Sequence, residues 1–192
     1  MMNVNSALFF VAKDFIPGRA YFALFYVPFA FEILKSLLGI FTSKKKNKQE
    51  INDKLLSSGA YLYTSLNIDR LVNEFLGDKN IVVIARNPYL FEKYEIPILW
   101  LSKVENENAI SPAHLERILH WAVTSIKSED ALIIDGVEYL ILENGFESVF
   151  RFLVNLKDHI LLRNSILVLV VDERALEEKH AFLLQREFKK IL

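Results

Sequence analysis

Three residues at the ends of apolar runs make the strongest case for chemistry in this chain: Asp135, Glu138 and Arg86. The run Ala-Leu-Ile-Ile at 131–134 ends in Asp135-Gly136. An apolar strand that ends in an acid is how nucleotide hydrolases hold Mg²⁺. Glu138, three residues on, would orient a water, and Arg86, just after the run at 81–85, would take a phosphate. Together they outline a nucleotide and Mg²⁺ site. The same residues have a plainer account. An Asp before Gly commonly caps its own turn, and Arg86-Asn87-Pro88 forms a solvated turn equally well.

The other half of a nucleotide site is missing. In G-x-x-x-x-G-K-[ST] the backbone N–H groups cradle phosphates and the lysine neutralises them. The six glycines, Gly18, Gly39, Gly59, Gly77, Gly136 and Gly145, are too far apart for that motif or for G-x-G-x-x-G. No cysteine is present, which excludes a thiolate metal site, a cysteine nucleophile and a disulfide scaffold. His114, His120, His159 and His180 show no paired ligand spacing, so no metal site is read from them. There is no G-x-S-x-G elbow. Tyr139 and Trp100 read as packing residues rather than stacking platforms.

The elements that would position these residues alternate. Strands are expected at 60–65, 81–85, 97–101, 131–134 and 165–171, where apolar runs are short and nearly continuous, as in strands buried on both faces. Helices are expected at 69–76, from Ser111-Pro112 through Ile126, at 147–162 and at 173–192. Leu115, Ile118, Leu119, Ala122, Val123 and Ile126 form one apolar stripe at helical spacing. Residues 51–58 read as a lead-in helix or linker, and Asn144-Gly145 as a turn. The order β-α-β-β-α-β-α-β-α predicts an α/β domain over 51–192, a mostly parallel sheet with helices on both faces. In such a sheet ligands lie outside the carboxyl ends of the strands. Ser65, Arg86, Ser102, Asp135 with Glu138, and Asp172 stand there.

The chain has 192 residues, 52% of them hydrophobic, and a net charge of −1. That composition excludes a disordered chain and gives no reason to expect nucleic acid as the main partner. Residues 1–50 hold seven basic and three acidic residues, whereas 51–192 hold 16 and 21, a charge of −5 that disfavours DNA. Residues 20–41 form an apolar stretch about long enough to cross a bilayer, followed by Lys44-Lys45-Lys46-Asn47-Lys48. A basic cluster after an apolar run marks the cytoplasmic side, which puts the remainder of the chain in the cytoplasm. Glu32 and Lys35 interrupt the run. At about 2.5–3.5 kcal/mol each they nearly offset its apolar gain, though at i, i+3 they can pair. Residues 1–50 are therefore read as a membrane anchor with a lysine-rich flank. A helix on the membrane surface and an apolar arm packed on protein stay open as alternatives.

Several segments in order resemble a known family: Gly59-Ala60-Tyr61-Leu62, Ala85-Arg86-Asn87-Pro88, Pro97-Ile98-Leu99-Trp100-Leu101 and Ser111-Pro112. The most specific is Asp135-Gly136-Val137-Glu138-Tyr139-Leu140 with Asn144-Gly145-Phe146, followed by Phe152-Leu153 and Leu156-Lys157-Asp158. From Gly59 to the C-terminus the chain is similar to the archaeal family called domain of unknown function 835, with Ala85 where serine is expected. The resemblance implies a source among hyperthermophilic archaea and frequent membrane segments. It also implies a fold similar to RecA- and KaiC-like ATPases that has lost the phosphate loop. Asp135 would then stand in the place of the Mg²⁺-binding strand acid. The family has no established activity, so no catalytic residue is carried over.

These readings predict a membrane-tethered, non-catalytic interaction or regulatory module whose partner is another protein, such as a KaiC-like ATPase, or a second copy. The alternative is a nucleotide-binding protein or NTPase that uses Asp135 and Glu138 with Mg²⁺ and Arg86 on phosphate.

Overall fold

A computed structural model of the chain describes residues 55–191. The apolar stretch 20–41, the lysine cluster and residues 51–54 lie outside the described residues. Among the described residues no helix is long and apolar enough to cross a membrane.

Seven parallel strands form one sheet in the order β4-β3-β2-β5-β6-β1-β7. They are β1 (Gly59–Tyr63), β2 (Ile81–Ala85), β3 (Ile98–Leu101), β4 (Ala109–Ile110), β5 (Ala131–Asp135), β6 (Ile166–Val170) and β7 (Lys189–Ile191). The helices are α1 (Ile68–Arg70), which continues as a π-helix over Leu71–Leu76, α2 (Leu115–Ser125), α3 (Val137–Asn144), α4 (Phe146–Leu161) and α5 (Glu178–Glu187). Short 3₁₀ turns occupy Pro88–Leu90, Glu92–Tyr94 and Glu173–Ala175. The expected α/β class and the parallel sheet are present.

The sheet buries both faces. Leu62, Ile84, Leu132, Ile134, Leu167 and Leu169 point into a large apolar layer under α2 to α5. Tyr63, Val83, Ile133, Ile166 and Val168 point the other way, under α1, its π segment and Phe91. This period of two accounts for unbroken apolar runs such as Ile81–Ala85, every residue of which is buried. α4 supplies the main stripe, with Val149, Phe152, Leu153, Leu156 and Ile160 buried at helical spacing. In the π segment the Gly77 N–H reaches the Val72 carbonyl, 3.0 Å away, and Leu71, Val72 and Leu76 are all buried.

Several elements differ from expectation. Residues 137–144 form a helix, not a connection; α3 runs between Gly136 (φ +102°) and Gly145 (φ +76°). α2 begins at Leu115 rather than at Ser111-Pro112. The Ser111 carbonyl closes a turn by accepting from the His114 N–H, and the Asn144 amide holds the Pro112 carbonyl at 3.0 Å. The expected helix over 173–192 is a 3₁₀ turn, α5 and then β7, which pairs with β1. β4 adds an unexpected strand beside β3. Both edge strands are short, and β7 presents exposed Lys189 and Lys190. Charged, short edges discourage pairing with another chain.

Polar groups at the amino ends of the strands are satisfied locally. The buried Asp130 carboxylate accepts from the Asn80 amide (3.1 Å) and the Lys127 N–H (2.8 Å). The buried Ser165 hydroxyl donates to the Lys127 carbonyl at 2.8 Å. The centre of the large layer sets stability. Leu153→Ala, at a fully buried position of α4, is expected to cost about 2–5 kcal/mol. Urea unfolding followed by circular dichroism measures it, and a cost under about 1 kcal/mol would be incompatible with this packing.

Candidate functional site

The connection leaving β2 leads outward to β3 and β4, whereas the connection leaving β5 leads to β6 on the opposite side. The strand order therefore reverses between β2 and β5, and the crevice at their carboxyl ends is where such sheets take ligands. Ala85 and Asp135 are register partners there. Arg86 follows directly, and its N–H donates to the Asp135 carbonyl at 3.0 Å. Gly136 makes this approach possible. A Cβ on it would lie 2.7 Å from the Arg86 Cβ, and its φ of +102° disfavours any side chain.

The structure brings Arg86, Asp135 and Glu138 to one place but does not turn them toward a common ligand. The Arg86 guanidinium donates through Nη1 to the Leu101 carbonyl (2.9 Å) and lies over the Tyr139 ring, 4.4 Å from its centroid. The Trp100 indole N–H donates to the Arg86 carbonyl at 3.1 Å. The arginine thus ties together the ends of β2 and β3 and the first turn of α3. Glu138 reaches across to β6, where its Oε1 accepts from the Asp172 N–H at 2.6 Å. Tyr139 and Trp100, read from the sequence as packing residues, are what hold Arg86. Neither partner is a sequence neighbour of Arg86, so no local signal pointed to them.

The electrostatics follow from these contacts. Burial pushes the Asp135 carboxyl up to about 6; a backbone N–H from Asn87 favours the carboxylate and opposes the rise, while the negative charge of Glu138 adds to it. No ion pair to Asp135 occurs among the described residues. Asp172 is the opposite case. Arg174, bonded to its carboxylate at 2.8 and 2.7 Å, holds its carboxyl at about 2.

The remaining strand-end residues have other tasks. Ser65 Oγ accepts from the Asn67 N–H (3.2 Å) in the turn before α1, past the end of β1, which is two strands from β5. Ser102 is buried and its Oγ accepts from the Val104 N–H at 3.1 Å. Asp172 caps the 3₁₀ turn at Glu173–Ala175. Among the described residues, no three of His, Cys, Asp or Glu cluster so as to hold a metal ion.

A family model described as a protein of unknown function (DUF835) matches residues 64–188, well over half of the chain. The match takes in β2 to β6 and all five helices. No curated protein matches the chain.

The raised Asp135 carboxyl makes stability depend on pH with a definite sign. Its folded value near 6 exceeds the unfolded value near 3.8, so the folded chain binds the extra proton between the two. Stability from this group is fully present below about pH 4 and is lost as pH rises through about 6. Asp135→Asn removes the titration. The variant is expected to be more stable than the parent by about 1–3 kcal/mol at pH 8, the gain vanishing below about pH 4. Denaturant unfolding at both pH values measures this. A variant with no advantage at pH 8 would show that the carboxylate is well solvated.

Proposed function

The chain belongs to the DUF835 family, and we propose that it is a membrane-tethered, non-catalytic interaction module on a RecA/KaiC-like frame without the phosphate loop. One observation carries the reading. The two charged side chains that a nucleotide site would turn outward, Arg86 and Glu138, are directed instead at the fold's own Leu101 carbonyl, Tyr139 ring and Asp172 N–H. They brace the carboxyl end of the sheet.

A phosphate loop lies between a strand and the helix that follows it. Between β1 and α1 that place is Thr64-Ser65-Leu66-Asn67, with neither glycine nor lysine. Asn67 fills the start of α1 itself, its side chain accepting from the Arg70 N–H at 3.0 Å. The parallel sheet and its reversal at Asp135 support the RecA-like frame. The apolar stretch 20–41 and the lysines after it support a membrane tether with the α/β domain on the cytoplasmic side. The partner is a protein or a second copy, since the −5 charge of residues 51–192 disfavours nucleic acid.

The second reading, a nucleotide-binding protein or NTPase, rests on Asp135, whose carboxyl stands at the strand reversal with no ion pair among the described residues. Thermal unfolding of the full chain in detergent, with and without millimolar ATP, ADP or GTP plus Mg²⁺, separates the two. A ligand at 100 times its Kd would add about 2.7 kcal/mol, and each kcal/mol moves the midpoint roughly 2–4 °C. The module reading expects no shift. A rise of several degrees that disappears in Asp135→Ala would establish the nucleotide reading instead.

The tether has its own test. The full chain is expected to sediment with membranes, to stay there in high salt and to be released by detergent. Deletion of residues 1–50 moves it to the supernatant. Full-length chain released by salt alone would overturn a spanning anchor.

A further inference from the structure

Charge is divided unevenly between the two ends of the sheet. The segments at the carboxyl ends of the strands, 64–70, 86–95, 102–114, 136–147 and 171–178, hold twelve acidic and five basic residues. Those at the amino ends, 55–58, 77–80, 126–130, 162–165 and 188–189, hold three acidic and four basic. At the carboxyl ends every base except Arg86 is paired with an acid. The four at the amino ends, Lys79, Lys127, Arg163 and Lys189, are in no ion pair among the described residues. The acid surplus therefore sits at one end and the uncommitted cations at the other.

The amino-end segments form one bonded surface. The Arg163 carbonyl accepts from the Ser128 hydroxyl (3.0 Å) and the Glu129 N–H (3.3 Å). The Asn80 amide reaches Asp130 at 3.1 Å, and the Gly59 N–H reaches the Ser165 carbonyl at 3.2 Å. Leu162 stands on this surface, 83% exposed, just past the end of α4 and beside Arg163. The described chain also begins here, with the Leu55 side chain against Gly77. Only residues 49–54 separate Leu55 from Lys48 in the sequence, a reach of at most about 25 Å.

The cytoplasmic leaflet of a membrane is negatively charged, and over about a Debye length it attracts bases and repels acids. A domain held near it by a short link turns its acid-rich end away. Exposed apolar side chains do not choose between the ends, since Leu66, Tyr89 and Val104 are exposed at the carboxyl ends as well; charge does. We infer that the amino end of the sheet is a docking surface for anionic lipid headgroups, with Leu162 among them and Lys127 and Arg163 on their phosphates. The crevice at Asp135 then faces away from the membrane, open to a protein partner. This rests on the membrane-tether reading and adds an orientation to it.

The chain has no cysteine, so Leu162→Cys and Tyr89→Cys each provide a single thiol for a fluorophore, at positions 83% and 79% exposed at opposite ends of the sheet. The labelled full chain is reconstituted into vesicles of phosphatidylcholine with about 30% phosphatidylglycerol and a quencher carried on lipid headgroups. Quenching at 162 is expected to exceed that at 89 by about threefold or more. It is expected to fall toward the value at 89 in pure phosphatidylcholine. The same fall is expected when Lys127→Glu and Lys189→Glu are introduced, at exposed side chains that leave the thermal midpoint unchanged. Equal quenching at the two positions, or stronger quenching at 89, overturns the inference. So does quenching at 162 that is indifferent to lipid charge and to the two substitutions. Flotation of the same vesicles reports the tether. A chain that fails to float with them overturns the tether reading and the inference together, whereas a chain that floats with equal quenching overturns the inference alone.

Discussion

Among the described residues every neighbouring pair of strands runs parallel, and no hairpin can produce that arrangement. Each strand must be re-entered from its starting end by a connection laid over one face. Connections moving toward β7 carry α2 to α5 over one face, and the return from β1 to β2 carries α1 and its π segment over the other. That is the same hand throughout, as a twisted sheet requires. With both faces covered, the middle strands have no solvent side, so charged side chains are displaced to the strand ends. Asp130 and Ser165 are absorbed at the amino ends, and Arg86, Asp135 and Asp172 gather at the carboxyl ends.

At the carboxyl ends the backbone decides what those charges do. Gly136 admits Arg86 so closely that the two strand ends share a hydrogen bond beyond the ladder. From there the guanidinium spans Tyr139 and Leu101, and Glu138 spans to β6. A delocalised cation over an aromatic face and a carboxylate on a backbone N–H are both satisfied arrangements. Four consecutive strands of the sheet, β3, β2, β5 and β6, are stitched by side chains at the end where a ligand would enter. Asp135 is left between them, partly buried, with its carboxyl raised to about 6 by that burial.

Where local pattern and tertiary context agree, the sequence is legible. The runs at Ile81–Ala85 and Ile166–Val170 contain little but large apolar or β-branched residues, and they are strands within a residue of expectation. α3 was not legible because its eight residues are apolar on most sides and bounded by glycines, so no periodicity distinguishes it from a buried connection. β4 and β7 are too short to show alternation, and Lys189-Lys190 reads as the end of an amphipathic helix. Ser111-Pro112 is a good helix opening in isolation, but a local bond from the His114 N–H to the Ser111 carbonyl closes it into a turn, and the Asn144 amide, 32 residues away, holds the Pro112 carbonyl. Similarly, Asp135, Glu138 and Arg86 were identifiable by position at strand ends. Their partners Leu101, Tyr139 and Asp172 belong to other segments of the chain, and no spacing rule connects them.

The shortness of the sheet's two borders has a consequence for how copies of the chain can meet. Edge-to-edge pairing of parallel strands is head-to-tail: each addition exposes a fresh edge, and the product is a fibre without a defined end. Two residues at β4 offer too little ladder to start one, and β7 is a three-residue edge that carries the exposed charges of Lys189 and Lys190. Growth along the sheet is thereby disfavoured at both borders, which leaves contacts through the helical surfaces. Contacts of that kind can be finite and reversible, because a closed contact between helical faces leaves no fresh strand edge behind it.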